Sequence, residues 1–144
     1  MFTGASNLSL DAKGRLTIPT RYRAALGSNV VLTGDPSGCL LLFTPQDWKP
    51  FEDYVRSLSV DDKSTKPLKR VWLGCKLDCD IDGAGRLLLT PELRDHAKLD
   101  RKVQMIGQDD RFELWSEAGW LEQKELARRI DRDGLPVTYP GNPA

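Results

Sequence analysis

Asp11-Ala12-Lys13-Gly14-Arg15-Leu16-Thr17-Ile18 and Asp82-Gly83-Ala84-Gly85-Arg86-Leu87-Leu88-Leu89 are two versions of one segment, and their likeness decides the fold. Asp, Gly and Arg recur at matched places: Asp11 with Asp82, Gly14 with Gly85, Arg15 with Arg86. In each, Asp suits the first position of a tight turn and Gly supplies a left-handed residue at its close. Past the turn the side chains alternate, as on a half-buried strand. Leu16 and Ile18 face one side and Arg15 and Thr17 the other; Leu87 and Leu89 face in, with Arg86 and Leu88 opposite.

The likeness runs outward in both directions. Leu8 and Leu10 precede the first turn as Cys79 and Ile81 precede the second, and Tyr22-Arg23 align with Leu93-Arg94. Val30-Val31-Leu32-Thr33-Gly34 resembles Val103-Gln104-Met105-Ile106-Gly107. Leu42-Phe43-Thr44 followed by Trp48 resembles Leu114-Trp115-Ser116 followed by Trp120. Five features in one order imply an internal duplication. The repeats are expected at residues 5–58 and 76–130, joined by a linker and bridging helix at 59–75 and followed by a flexible tail at 131–144.

Each repeat reads as a β-hairpin, a short helix, two apolar strands and a second helix. Thr90-Pro91-Glu92 begins a helix well, with a hydroxyl cap, proline at the first position and an early carboxylate; Pro19-Thr20 is a weaker version. Thr44-Pro45 opens a helix carrying Trp48, Phe51, Val55 and Leu58 at helical intervals, and its counterpart starts near Ser116. Leu68, Val71, Trp72 and Cys75 predict the bridging helix. One repeat alone has few apolar residues and open sheet edges, so two are expected to close on each other. The expected class is α+β, mainly β: duplicated β-hairpin–helix units interleaved as a pseudo-twofold swapped-hairpin β-barrel with flanking helices.

Composition narrows the function. Among the 144 residues, 40% are apolar and 29% charged, an ordinary globular balance. No apolar run approaches the roughly 20 residues of a membrane span, and the N-terminus lacks a secretory pattern. A soluble, intracellular protein is expected. Twenty-one basic residues balance 21 acidic ones, which excludes coating DNA by bulk charge but allows local concentration of charge. Cys39, Cys75 and Cys79 read as reduced and largely buried thiols, without zinc spacing. Asp78, Asp80 and Asp82 open like a calcium loop, but Leu89 stands where that loop needs Glu, so no metal is expected. His96 reads as structural and the four tryptophans as core; no phosphate-cradling loop or nucleophile motif is present, and no cofactor, small-molecule substrate or catalytic residue is assigned.

Arg15 and Arg86 are the leading candidate site residues. A guanidinium can make two parallel hydrogen bonds to guanine O6 and N7, and a two-stranded ribbon fits the major groove. The plain alternative is that each arginine pairs with its turn Asp. Residues 11–25 carry Lys13, Arg15, Arg21 and Arg23 against Asp11, a net +3, whereas 82–96 carry Arg86 and Arg94 against Asp82, Glu92 and Asp95, a net −1. A phosphate-contacting surface is therefore expected on the first repeat, through Lys13, Arg21 and Arg23.

The doubled Asp11–Pro19 and Asp82–Pro91 pattern closely resembles the MraZ family, as do Met1-Phe2-Thr3-Gly4-Ala5 and Arg111-Phe112-Glu113-Leu114-Trp115. The resemblance covers about residues 1–130. It implies a transcriptional regulator with two SpoVT-AbrB-type domains, of the swapped-hairpin barrel class. It also implies a ring-like homo-oligomer, nucleoid-associated in the cytoplasm, that binds repeated double-stranded DNA elements upstream of the division and cell-wall gene cluster and represses its own operon. By motif, Arg15 and Arg86 become the DNA-reading arginines and Lys13 a supporting contact, with Ala84 at its counterpart; Thr90 departs from the family's common proline. Two rivals are an antitoxin-like interaction module of the same barrel class and a hydrolase using Asp78, Asp80 and Asp82.

Overall fold

The computed structural model describes residues 1–137. Strands β1 (Ala5–Ser9) and β2 (Arg15–Thr17) flank the first turn, and helix α1 (Thr20–Leu26) follows. Then come β3 (Asn29–Gly34), β4 (Leu40–Phe43), α2 (Pro45–Ser57) and the bridging helix α3 (Lys66–Gly74). The order then repeats as β5 (Leu77–Asp80), β6 (Arg86–Leu88), α4 (Pro91–His96), β7 (Lys102–Gly107), β8 (Phe112–Ser116) and α5 (Glu117–Arg129).

The hydroxyl cap expected at Thr90 forms, and the helices expected to open at Thr44 and near Ser116 are capped in the same way. Thr44 Oγ1 accepts from Asp47 N at 3.1 Å, Thr90 Oγ1 from Leu93 N at 3.3 Å and Ser116 Oγ from Gly119 N at 2.9 Å. Each satisfies an amide that the first helical turn leaves without a partner. Pro19 stands at the cap position of α1 and gives no side-chain cap. A short 3-10 turn at Arg132–Gly134 lies within the expected tail; residues 138–144 of that tail lie outside the described residues.

The sheet is antiparallel, and its strand order reads the same from either end under the repeat. Six strands run β1-β7-β8-β4-β3-β5, and exchanging each strand for its counterpart reverses the list. The register obeys the same symmetry. Leu8 pairs Val103 as Cys79 pairs Val30, and Leu41 pairs Glu113 at the centre. β2 pairs with β6 as a separate ribbon, with Leu16 opposite Leu87 on the pseudo-twofold axis.

The repeats therefore interleave, but the expected closed barrel does not form. β1 spends its length on β7 and meets β2 through one bridge, Leu10–Leu16; Ile81–Leu87 is its counterpart between β5 and β6. The cause lies in the core. Leu16 and Leu87 are both fully buried and reach the same interior by pairing across the axis. This draws β2 away from β1 and leaves an open six-stranded sheet with a two-stranded ribbon set across it.

Both faces of the sheet are covered, which explains why its inner strands read as apolar runs. Val30, Leu32, Leu40, Leu42, Val103, Met105, Phe112 and Leu114 meet the ribbon's Leu16, Ile18, Leu87 and Leu89 on one side. Val31, Leu41, Phe43, Ile106 and Trp115 meet α2 on the other. α3 docks there too: Thr33 Oγ1 donates to Trp72 O at 2.7 Å, and Trp72 Nε1 donates to Asp35 at 2.9 Å.

Candidate nucleic-acid interface

The turn chemistry is the same in both repeats. Gly14 N donates to Asp11 O at 3.0 Å and Gly85 N to Asp82 O at 2.9 Å. The glycines hold φ of +81° and +78°, where other residues are strained. Asp11 Oδ1 accepts from the amides of Lys13 and Arg15, both at 2.9 Å; Asp82 Oδ1 accepts from Ala84 at 3.0 Å and Arg86 at 2.9 Å. The carboxylate is thus a template for the turn.

The same carboxylates aim the arginines. Arg15 Nε donates to Asp11 Oδ2 at 2.7 Å, and Arg86 Nε donates to Asp82 Oδ2 at 2.9 Å. These are surface pairs: the side chains are 27% and 38% exposed in the first and 39% and 42% in the second. Only Nε is engaged. The two terminal nitrogens of each guanidinium make no hydrogen bond among the described residues, so the fork that could grip a base edge is oriented and open. Arg15's backbone amide, and then its guanidinium, hold the Asp11 carboxyl below the usual range; Arg86 does the same to Asp82. Both carboxylates stay ionised at neutral pH, and the pairing is lost only as pH falls through those lowered values.

The ribbon brings both arginines to one face. Arg15 lies opposite Leu88, and Arg86 opposite Thr17. These four side chains point away from buried Leu16 and Leu87, and the arginines are diagonal neighbours about 7–8 Å apart on the backbone. Sequence spacing places each arginine after its own turn; it does not reveal that they share one two-stranded surface. Lys13 is exposed at the tip of the first turn.

Arg21 and Arg23 part company. Arg21 is exposed; its Nη2 donates to Ser6 Oγ on β1 at 2.5 Å, and its Cζ lies 4.7 Å from the Tyr22 ring centre. Arg23 turns inward instead: its Nε donates to Ile18 O at 2.9 Å, and its guanidinium lies against Gly85. Arg94 mirrors it, donating to Leu89 O at 3.1 Å and lying against Gly14. Arg101 is a basic residue that the window count missed. Its carbonyl accepts from Leu10 N at 2.7 Å, and it lines a groove with Leu10, Asp11, Ala12, Arg94 and Asp100. Ser28 stands at the equivalent place by the second turn, accepting from Ile81 N at 2.8 Å. The only available signal was the sheet pairing itself.

The glycines allow a direct check of this geometry. A methyl group at Gly85 would lie 2.5 Å from Arg23 Cζ, in a backbone conformation that L side chains resist, whereas one at Gly83 meets nothing within 4 Å. Gly85→Ala is expected to cost about 2 kcal/mol or more in urea unfolding. Gly83→Ala should stay within about 0.5 kcal/mol of the parent.

Other candidate chemistry does not assemble. Asp78 and Asp80 lie exposed on edge strand β5, and among the described residues no three His, Cys, Asp or Glu side chains gather as metal ligands. The cysteines are free; burial raises the Cys39 thiol to about 12 and the Cys79 thiol to about 11, so neither is an activated nucleophile. His96 Nε2 meets Asp35 O at 2.8 Å, a structural contact. Trp48 and Trp115 are buried, and Trp72 and Trp120 pack against the same cluster. Among the described residues no helix is long and apolar enough to cross a membrane.

Known proteins match over nearly the whole chain. A family model described as "MraZ protein, putative antitoxin-like" matches residues 1–71 and 75–133. The chain is 43% identical over 145 residues to the Transcriptional regulator MraZ of Thiobacillus denitrificans, covering 98% of each. It is 44% identical over 143 residues to that of Dechloromonas aromatica, covering 96% of this chain and 97% of the relative. With that of Shewanella pealeana the identity is 44% over 133 residues, covering 89% and 88%.

Proposed function

The chain belongs to the MraZ family, and on that premise we propose that it is a sequence-specific DNA-binding regulator of transcription and not an enzyme. One observation carries the reading: Arg15 and Arg86 share the outward face of a single ribbon, each held at Nε by its turn Asp with its terminal nitrogens open. A ribbon of this width enters the major groove, and the open fork fits guanine O6 and N7. Lys13 and Arg101 would supply phosphate contacts beside the first turn, and Arg21, held at Ser6, a further one from α1. Ala84 and Ser28 give the second turn no such support.

The proposed targets are repeated elements upstream of the division and cell-wall gene cluster, with repression of the chain's own operon. The palindromic strand order supports placing the fold with the swapped-hairpin proteins, and the division at 5–58 and 76–130 is kept as our reading of its two repeats. Self-association into a ring has a physical basis. α3 packs on α2, whereas on the equivalent helix α5 Leu121 and Leu126, with Ile130 just past its end, are exposed among the described residues.

The test is binding to DNA immediately upstream of the chain's own gene, against a scrambled duplex. Preference for the native duplex is expected. A stoichiometric protein partner with no promoter DNA enriched would favour the antitoxin-like reading instead. Spacing supplies a further check. A neutral protein gains little from bulk charge, and linking several ribbons to spaced repeats can raise affinity by roughly 10²–10⁴. Changing the distance between repeats should remove most of that gain; equal affinity at any spacing would contradict joint binding.

A further inference from the structure

The two turns are braced by arginines that cross between the repeats. Arg94 stands on α4 of the second repeat, yet its guanidinium covers the turn of the first: a methyl at Gly14 would come within 3.0 Å of its Cζ. Arg94 Nε donates to Leu89 O at 3.1 Å, and Leu89 N donates to Gly14 O at 2.9 Å. The mirror set is complete. Arg23 on α1 donates from Nε to Ile18 O at 2.9 Å, Ile18 N donates to Gly85 O at 2.8 Å, and the Arg23 guanidinium lies against Gly85.

Each arginine thus holds both sides of one joint. It fixes the carbonyl of the strand-end residue whose own amide grips the opposite turn, and its guanidinium fills the space over that turn's glycine. Both side chains are half-buried, and neither has a carboxylate within ion-pair distance among the described residues. Their charge is spent on a carbonyl and a glycine surface, a task for which a planar guanidinium is suited and an ammonium is not.

We propose that Arg94 and Arg23 are positioning residues that act across the pseudo-twofold axis, Arg94 on the turn that aims Arg15 and Arg23 on the turn that aims Arg86. This deepens the DNA-reading function and rests on it. Arg23 is then a brace for the second turn, in place of the phosphate contact that its charge alone implies.

The experiment follows backbone amide exchange by NMR in the full chain, wild type against Arg94→Gln and Arg23→Gln. Gly14 N and Arg15 N are held by Asp11, and Gly85 N and Arg86 N by Asp82, so these amides report each turn separately. Arg94→Gln is expected to speed exchange at Gly14 and Arg15 roughly tenfold and leave Gly85 and Arg86 unchanged; Arg23→Gln should do the reverse. Arg94→Lys, which keeps the charge and a donor but not the plane, should show the same crossed pattern at smaller amplitude. A gain confined to the variant's own repeat, or spread evenly over the chain, would overturn the proposal.

Affinity provides the second readout, with the duplex from just upstream of the chain's own gene as probe. Arg94→Gln should bind roughly tenfold more weakly, with an unchanged slope of affinity against salt. A slope reduced by about one, the mark of a lost phosphate contact, would overturn the positioning role. Failure of the DNA reading has a different signature: the wild-type chain then shows no preference for the native over the scrambled duplex, whatever its amides do.

Discussion

Arg15→Ala is expected to abolish sequence-specific DNA binding while leaving the chain folded with its thermal midpoint in place. The side chain lies on the outer face of the ribbon, and the exposed pair it forms with Asp11 contributes little to stability. The strand is held by its neighbours Leu16 and Ile18, which are fully buried and untouched by the change. For DNA the position is different. A bidentate contact to a guanine is worth about 1–3 kcal/mol, or about 5–150-fold, and the loss recurs in every copy that engages a repeat. Such losses together bring binding down to the non-specific level. A gel-shift titration showing unchanged affinity would refute the role given to Arg15.

Phe112→Ala should have the largest effect on stability. Phe112 is fully buried, with its ring centre 4.3 Å from that of Phe2 and 4.7 Å from that of Tyr22. Tyr22 also donates its hydroxyl to Thr3 O at 3.0 Å, and Phe2 forms a bridge with Asp109. One ring therefore joins β8, α1 and the N-terminal segment. Removing a fully buried phenyl costs about 3–5 kcal/mol, a large share of the stability of a domain this size. The melting midpoint should fall by roughly 10–20 °C. A melt followed by circular dichroism that shows no shift would contradict the packing described for this corner.

Local chemistry was legible in the residues; long-range pairing was not. Thr44, Thr90 and Ser116 announced their helices because a cap acts over three residues. Asp11 and Gly14 announced their turn for the same reason, and both Arg15 and Arg86 emerged on the outer face beside buried Leu16 and Leu87, as the alternation required. The duplication, read from matched positions, foretold the pseudo-twofold order. It could not say that β1 would pair with β7, about 100 residues away along the chain, in preference to β2. That choice opened the barrel and placed Arg15 and Arg86 on one ribbon.

The charge count shows the same limit. It grouped Arg21 with Arg23 because they are two residues apart, yet one is exposed beside β1 and the other sits beneath the opposite turn. Arg94 aligns with Arg23 in the sequence, yet it lies against the turn of the opposite repeat, a place that only the interleaving gives it. Arg101 reached that turn through a backbone bond to Leu10 that no spacing foretells.

Everything proposed for this protein depends on one surface, the outer face of β2 and β6, meeting the edges of bases. A fluorescence-anisotropy titration measures this most directly, using the native upstream duplex and its scrambled counterpart across a salt series, with the wild type beside an Arg15→Ala, Arg86→Ala double variant. The wild type should prefer the native duplex and lose affinity steeply with salt, and the double variant should bind both duplexes alike and weakly. Equal binding of the two duplexes by the wild type, or undiminished preference in the double variant, would contradict the account.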